Sequence, residues 1–203
     1  MNGHALPPFH PSPARPQRLR PLDFAVLGLL SEHPSHGYEL QRAFSESAEL
    51  GAVIRVEAPT LYSALKELAA AGLIVGHEVR RGARPPRTEY RLTEAGRAEF
   101  EAWLRTPVER LREVRLDFLL KLYFVQRRSA QEAKSLVDEQ IAACRRYLAA
   151  LEEWASVLAA DSWLFVVAES RVTAARGTLA WLSDYARRHS APPAGNPRGG
   201  EKA

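Results

Sequence analysis

At 203 residues, with 46% apolar and 26% charged side chains, the chain suits one large or two small globular domains and not a disordered protein. No apolar run nears the ~20 residues that cross a bilayer, no signal-type apolar core follows a charged start, and a lone cysteine, Cys144, excludes an intrachain disulfide and a cysteine-based zinc site, so a cytoplasmic protein without metal or cofactor is expected. The formal charge of +4 is too small to identify a partner, which leaves its distribution along the chain to decide.

Residues 1–20 hold Pro7, Pro8, Pro11, Pro13 and Pro16 beside Arg15, Arg18 and Arg20, and read as a disordered arm, either a solvated tail or a basic arm reaching a minor groove. Order is expected from Leu22, where a densely apolar run gives one short buried helix ending before Pro34. Ser35 or His36 can cap a second helix, Tyr38 to about Ser47, with Glu39 reaching back and Leu40, Ala43 and Phe44 inward. A polar link at 45–57 leads to a third helix with Pro59 in its first position; Leu61, Ala64, Leu65 and Leu68 form its core stripe. Gly72 ends it. Leu73–Arg80 and Thr88–Leu92 alternate as strands around a turn with Gly82, Pro85 and Pro86, and Thr93 caps a fourth helix to about Arg105.

The segment 21–105 carries ten basic and twelve acidic side chains, yet residues 80–91 set Arg80, Arg81, Arg84, Arg87 and Arg91 against Glu89 alone. Such focused charge, directly after a helix with a polar edge, is how a winged helix-turn-helix contacts duplex DNA. Thr60, Ser63 and Lys66 are the candidates for base edges, and Arg81, Arg84 and Arg87 for phosphate or minor groove. Tyr62 and Tyr38 are open between packing a ring and presenting a hydroxyl to phosphate.

Beyond Pro107 the pattern is helical throughout: an apolar segment, Val114 to Val125, and then a capping box at Ser129–Glu132. Two heptad-like stripes follow: Val137, Ile141, Cys144, Leu148, Leu151, Ala155 and Leu158, then, after a cap at Asp161, Phe165, Ala168, Val172, Ala175, Leu179, Leu182 and Ala186. They describe an antiparallel hairpin. Tyr147, Trp154, Trp163, Leu164, Val167 and Trp181 add apolar surface that a lone hairpin cannot cover, so Val137, Ile141, Leu148, Leu151, Phe165, Val172, Leu179 and Leu182 are assigned to a dimerisation domain. Tyr123, Trp154, Trp163, Phe165 and Trp181 either belong to such cores or line an aromatic pocket for an effector. Cys144 reads as a small buried side chain.

The expected class is therefore mainly α with a small β-hairpin: an arm at 1–20, a winged helix-turn-helix at 21–106, a helical dimerisation domain at 107–189 and a tail at 190–203. HGYEL at 36–40, APTLYSALKEL at 58–68, AGLI at 71–74 and EYRLTEAGR at 89–97, in this order, resemble the PadR-type transcriptional regulators. RLDFLLKL at 115–122 is similar to the start of the helical C-terminal domain of the longer subgroup, which includes virulence-gene activators. The resemblance covers about residues 22–188 and implies a homodimer on double-stranded DNA with an inverted-repeat operator, usually a repressor, sometimes answering to a small molecule. Glu57-Ala58 stand where a small hydroxyl residue or glycine is common in that family, and alanine is a cap weaker by ~1 kcal/mol. Scattered histidines, no HExxH, no phosphate loop and no nucleophile elbow argue against an enzyme and leave no catalytic or metal residue to name. The rival is a winged-helix adaptor that binds protein and not DNA, consistent with the net −2 of 21–105.

Overall fold

The computed structural model describes residues 19–79, 87–109 and 113–190, and its contacts separate two units between Ser129 and Ala130. In the first, α1 (Pro21–Glu32) buries Leu22, Phe24, Ala25, Val26, Leu27, Leu29 and Leu30. A helix apolar all round belongs inside its unit, and α3 and α4 pack against it. Its start is fixed by Pro21 and by Asp23, which accepts from the Arg20 N–H at 2.7 Å.

β1 (Ser35–His36), α2 (Gly37–Ala43), a 3₁₀ turn (Leu50–Ala52), α3 (Ala58–Ala70), β2 (Ile74–Val79), β3 (Arg87–Leu92) and α4 (Glu94–Arg105) follow. The hairpin is joined by an unforeseen third strand, in the order β1-β3-β2, all antiparallel, with Ser35 opposite Tyr90 and Gly76 opposite Tyr90 on the other side. Two residues are too short to show alternation, which is why β1 leaves no mark in the sequence. Gly72 adopts φ 71°, the left-handed turn expected of a C-terminal glycine. Thr93 caps α4 by accepting from Gly96 N–H at 3.0 Å, and its hydroxyl donates to Gly72 O (2.8 Å) or Leu73 O (2.9 Å), tying the end of α3 to α4.

Two helix ends differ from expectation. α2 stops at Ala43, with Phe44 as the capping residue and 2% exposed: burying that ring turns the chain before Ser47. α3 begins at Ala58, so Pro59 is its second residue and Glu57 its N-cap, without a side-chain bond to the helix. Of the two candidate caps for α2, His36 holds the place, and Glu39 Oε2 accepts from its N–H at 2.8 Å.

The larger difference is the boundary. A π-helical turn (Val114–Phe118) runs into α5 (Leu119–Arg128), and both cluster with the winged-helix elements, not with the helices beyond Ser129 as the expected boundary at 106/107 had it. The physical reason is Phe124, whose ring lies where a Cβ on Gly28 would stand and meets Phe100 edge-on at 5.3 Å. Arg127 pairs with Glu32 at 3.0 Å and Arg128 with Glu101 at 2.6 Å.

Lys121, 3% exposed, donates to Thr106 O at the end of α4 and lies 5.0 Å over the Trp103 ring. Burial pushes its pKa down to about 8, against the opposing pull of Asp117 and Glu113, while burial raises that of Asp117. Because the unfolded chain holds this proton up to about pH 10.5, the burden of a buried ammonium is complete below pH 8 and is relieved as pH rises from 8 to 10.5. Lys121→Met is thus expected to stabilise more at pH 7 than at pH 10, by up to roughly 3 kcal/mol, read from urea unfolding of both proteins across that range. A difference independent of pH contradicts it.

In the second unit, α6 (Ala130–Ser156) and α7 (Trp163–Ser190) pack along their lengths. Their contacts run in opposite directions: Arg171 lies over Trp154, and Arg176, further along α7, reaches back to Glu152 at 2.6 Å. The cap of α7 is Ser162, whose Oγ accepts from Phe165 N–H at 3.1 Å, not the neighbouring Asp161. Leu158 lies beyond the end of α6. Cys144 is buried, accepts from Gln140 Nε2 at 3.6 Å and has its pKa raised by burial, as a packing cysteine should.

Candidate nucleic-acid interface

Helix α3 buries Leu61, Ala64, Leu65 and Leu68, which at helical spacing turns Ser63 and Lys66 directly away from the core. Thr60 and Glu67 flank them on one side and Tyr62 on the other; all five are exposed. Lys66 therefore presents its charge from the middle of the outward face. The three base-edge candidates thus share one exposed side, as the spacing predicted.

The two tyrosines resolve toward exposure. Tyr62 is 49% exposed, and its ring covers the start of α2 closely enough that a Cβ on Gly37 would lie 2.8 Å from it. A side chain at Gly37 would push the Tyr62 ring aside. Tyr38, 44% exposed, stacks on His36 with ring centres 5.9 Å apart and carries Arg87 over its ring at 5.3 Å. Its hydroxyl donates to Glu39 at 3.1 Å, and the His36 N–H holds the Glu39 carboxyl below the usual carboxylate range. His36 Nδ1 meets Thr88 O at 3.1 Å. In this way the start of α2 and the turn end of β3 become one surface, with Arg87 positioned by an aromatic ring.

Of the wing arginines, Arg87 is exposed at the start of β3, whereas Arg91 is paired with Glu89 at 2.8 Å. Arg81 and Arg84 lie outside the described residues, as does Arg80. Tyr90, central in the sheet, has its hydroxyl pKa raised, chiefly by burial.

Sequence reasoning missed His36 as a strand-pairing and stacking residue. It also missed Glu67, whose carboxylate accepts from Ser63 Oγ at 3.0 Å and from Arg20 Nη2 at 2.8 Å. The i, i+4 spacing of Ser63 and Glu67 was the available signal; Arg20, 47 residues away, gave none.

The residues assigned to a dimer seam are largely spent within the chain. Val137, Ile141, Leu151, Val172 and Leu182 are buried, while Leu148, Phe165 and Leu179 are half-buried. Trp154 is buried as well, with its Nε1 unpartnered. Apolar surface left outside is carried by Val157, Trp163 (76% exposed), Leu164, Val166 and Trp181. Of the aromatic residues considered for an effector, Trp154 is buried, Phe165 half-buried, and Trp163 and Trp181 exposed, while Tyr123 belongs to the other unit. No group of metal-binding side chains occurs among the described residues, and no helix among them is long and apolar enough to cross a membrane.

A profile of the transcriptional regulator PadR-like family matches residues 26–102, which contain α2, α3, the hairpin and most of α1 and α4. The negative transcriptional regulator PadR of Bacillus subtilis (strain 168) is 32% identical over 123 residues, 61% of this chain and 66% of that regulator, so the match spans just under two thirds of its length. Among solved structures, Bacillus subtilis PadR in complex with operator DNA aligns over 84% of this chain and 100% of its own at 27% identity, with a TM-score of 0.43. The same regulator in complex with p-coumaric acid aligns over 85% and 100% at 26% identity and a TM-score of 0.38.

Proposed function

Because this chain belongs to the PadR-like family of transcriptional regulators, we propose that it binds duplex DNA at an inverted-repeat operator as a homodimer and lowers transcription from it, α3 entering the major groove and the hairpin resting on the backbone. The observation that carries the reading is the single exposed surface formed by Thr60, Ser63 and Lys66 on α3 with Tyr38, Tyr62 and Arg87 beside it. Side chains near the start of a recognition helix reach base edges, and arginines at a hairpin reach phosphates. The negative sign follows the name of the Bacillus subtilis relative. The Pro/Arg arm, the winged-helix segment, the helical pair and the tail keep the roles expected of them, with α5 counted in the winged-helix unit. Response to a small molecule is a subsidiary part of the reading, and we assign no residue to it.

A gel shift on DNA upstream of the protein's own gene tests the reading, and Arg84→Ala with Arg87→Ala tests the role of the wing. The double variant is expected to weaken binding to every sequence and to make the plot of log K against log salt shallower by about 2 per subunit, at about 0.9 for each phosphate that is no longer neutralised. An unchanged slope removes these arginines from the phosphate contacts. One observation favours the adaptor reading: Arg20, Arg55 and Arg91 are each engaged by a carboxylate, which reduces the positive charge this unit can offer to phosphate. Failure to shift any fragment at low salt would decide for the adaptor.

A further inference from the structure

A serine hydroxyl has one proton to give and two lone pairs to receive with, and an unrestrained serine can turn either toward a base. Ser63 is not unrestrained. Its proton goes to Glu67 Oε1 at 3.0 Å, and the other oxygen of that carboxylate is held by Arg20 Nη2 at 2.8 Å. The Arg20 guanidinium is itself fixed on Asp23, with Nε to Oδ2 and Nη2 to Oδ1 both at 3.0 Å, and Asp23 is 4% exposed. A relay of four side chains, Asp23 to Arg20 to Glu67 to Ser63, thus runs from the buried start of α1 to the outward face of α3.

We propose that this relay sets the hydrogen-bond polarity of Ser63, so that it reads a base only as an acceptor and selects an exposed amino group, adenine N6 or cytosine N4, in the major groove. The inference rests on the DNA-binding reading above. Turning the hydroxyl proton toward thymine O4 or guanine O6 would leave Glu67 Oε1 without the Ser63 donor and facing a lone pair, with only Oε2 still held by Arg20, and charge-assisted bonds of this kind are among the costlier ones to give up. Removal of water from the groove on binding sharpens that cost. The same carboxylate carries negative charge toward phosphate, so it opposes affinity while it enforces choice. A residue with a merely structural role does not separate those two quantities.

Selection of bound fragments from a random duplex pool by the full-length wild type, Glu67→Ala and Ser63→Ala tests this. Glu67 is exposed, so its loss leaves the fold in place. In the wild type, one position per half-site is expected to favour A or C over G or T by about tenfold. That preference should fall below about threefold in both variants, with the other positions unchanged, and Glu67→Ala should bind random duplex at least as tightly as the wild type. Persistence of the preference in Glu67→Ala would show that Ser63 needs no polarising partner. Its persistence in Ser63→Ala would make Glu67 the direct reader, and a Ser63-dependent preference for G or T would reverse the polarity; each overturns the proposal. Failure of the wild type to enrich any sequence overturns the DNA-binding reading itself, an outcome distinct from the other three.

Discussion

Phe124→Ala is expected to lower the free energy of unfolding of the winged-helix unit by about 3–5 kcal/mol, measured by urea unfolding. Its ring is 1% exposed, meets Phe100 edge-on, and covers Gly28 of α1. The cost of such a deletion depends on how far the surroundings can fill the cavity. Here one wall is a glycine with no side chain to lean inward, and Phe100 is also stacked near Trp103 with ring centres 5.9 Å apart, which restricts its shift. The loss therefore belongs at the upper end of the range. Since whole domains are stable by only about 5–15 kcal/mol, it is expected to unfold part of the population at growth temperature. A loss below about 1 kcal/mol would mean that α5 is not an integral part of this unit.

Trp163→Glu with Trp181→Glu is expected to turn a dimer into a monomer in sedimentation and to weaken operator binding by about 100-fold or more, because two linked half-sites gain that much over one. On α7 the two tryptophans lie on the side away from Ala168, Val172, Ala175 and Leu182, which pack within the chain, and Ser170, Ala174 and Gly177 stand between them. Large exposed rings separated by small residues leave room for another helix to approach. Retention of the dimer would place the seam elsewhere. Weakened operator binding without a change of mass would be equally damaging to the argument.

The helical and hairpin elements were legible because their signals are local: the stripe of Leu61, Ala64, Leu65 and Leu68, the positive φ of Gly72, and Thr93 ahead of α4. The outward face of α3 followed by complement from that stripe. What escaped was set by tertiary contact. β1 exists because Ser35 and His36 lie beside β3, not because two residues favour a strand. The reassignment of α5 depends on Gly28 meeting Phe124 across nearly a hundred residues of sequence, and a heptad pattern cannot see that. The relay from Asp23 to Ser63 crosses from one helix to another through Arg20, which composition placed in a disordered arm. The hydrophobic stripes of α6 and α7 were assigned to a dimerisation domain; much of them is buried within one chain, and a heptad stripe does not say which helix covers it.

The central place of β3 has a consequence for solubility. With both sides of β3 paired, the described sheet ends at β1, only two residues long, and at β2, which is exposed from Val75 to Glu78. An open strand edge is where fibrils nucleate, by templating a strand from another molecule. Here the open edge contains Gly76, His77 and Glu78, so a templated copy would set a flexible glycine and stacked like charges along its length. The sheet exposes an edge, but one poorly suited to growth.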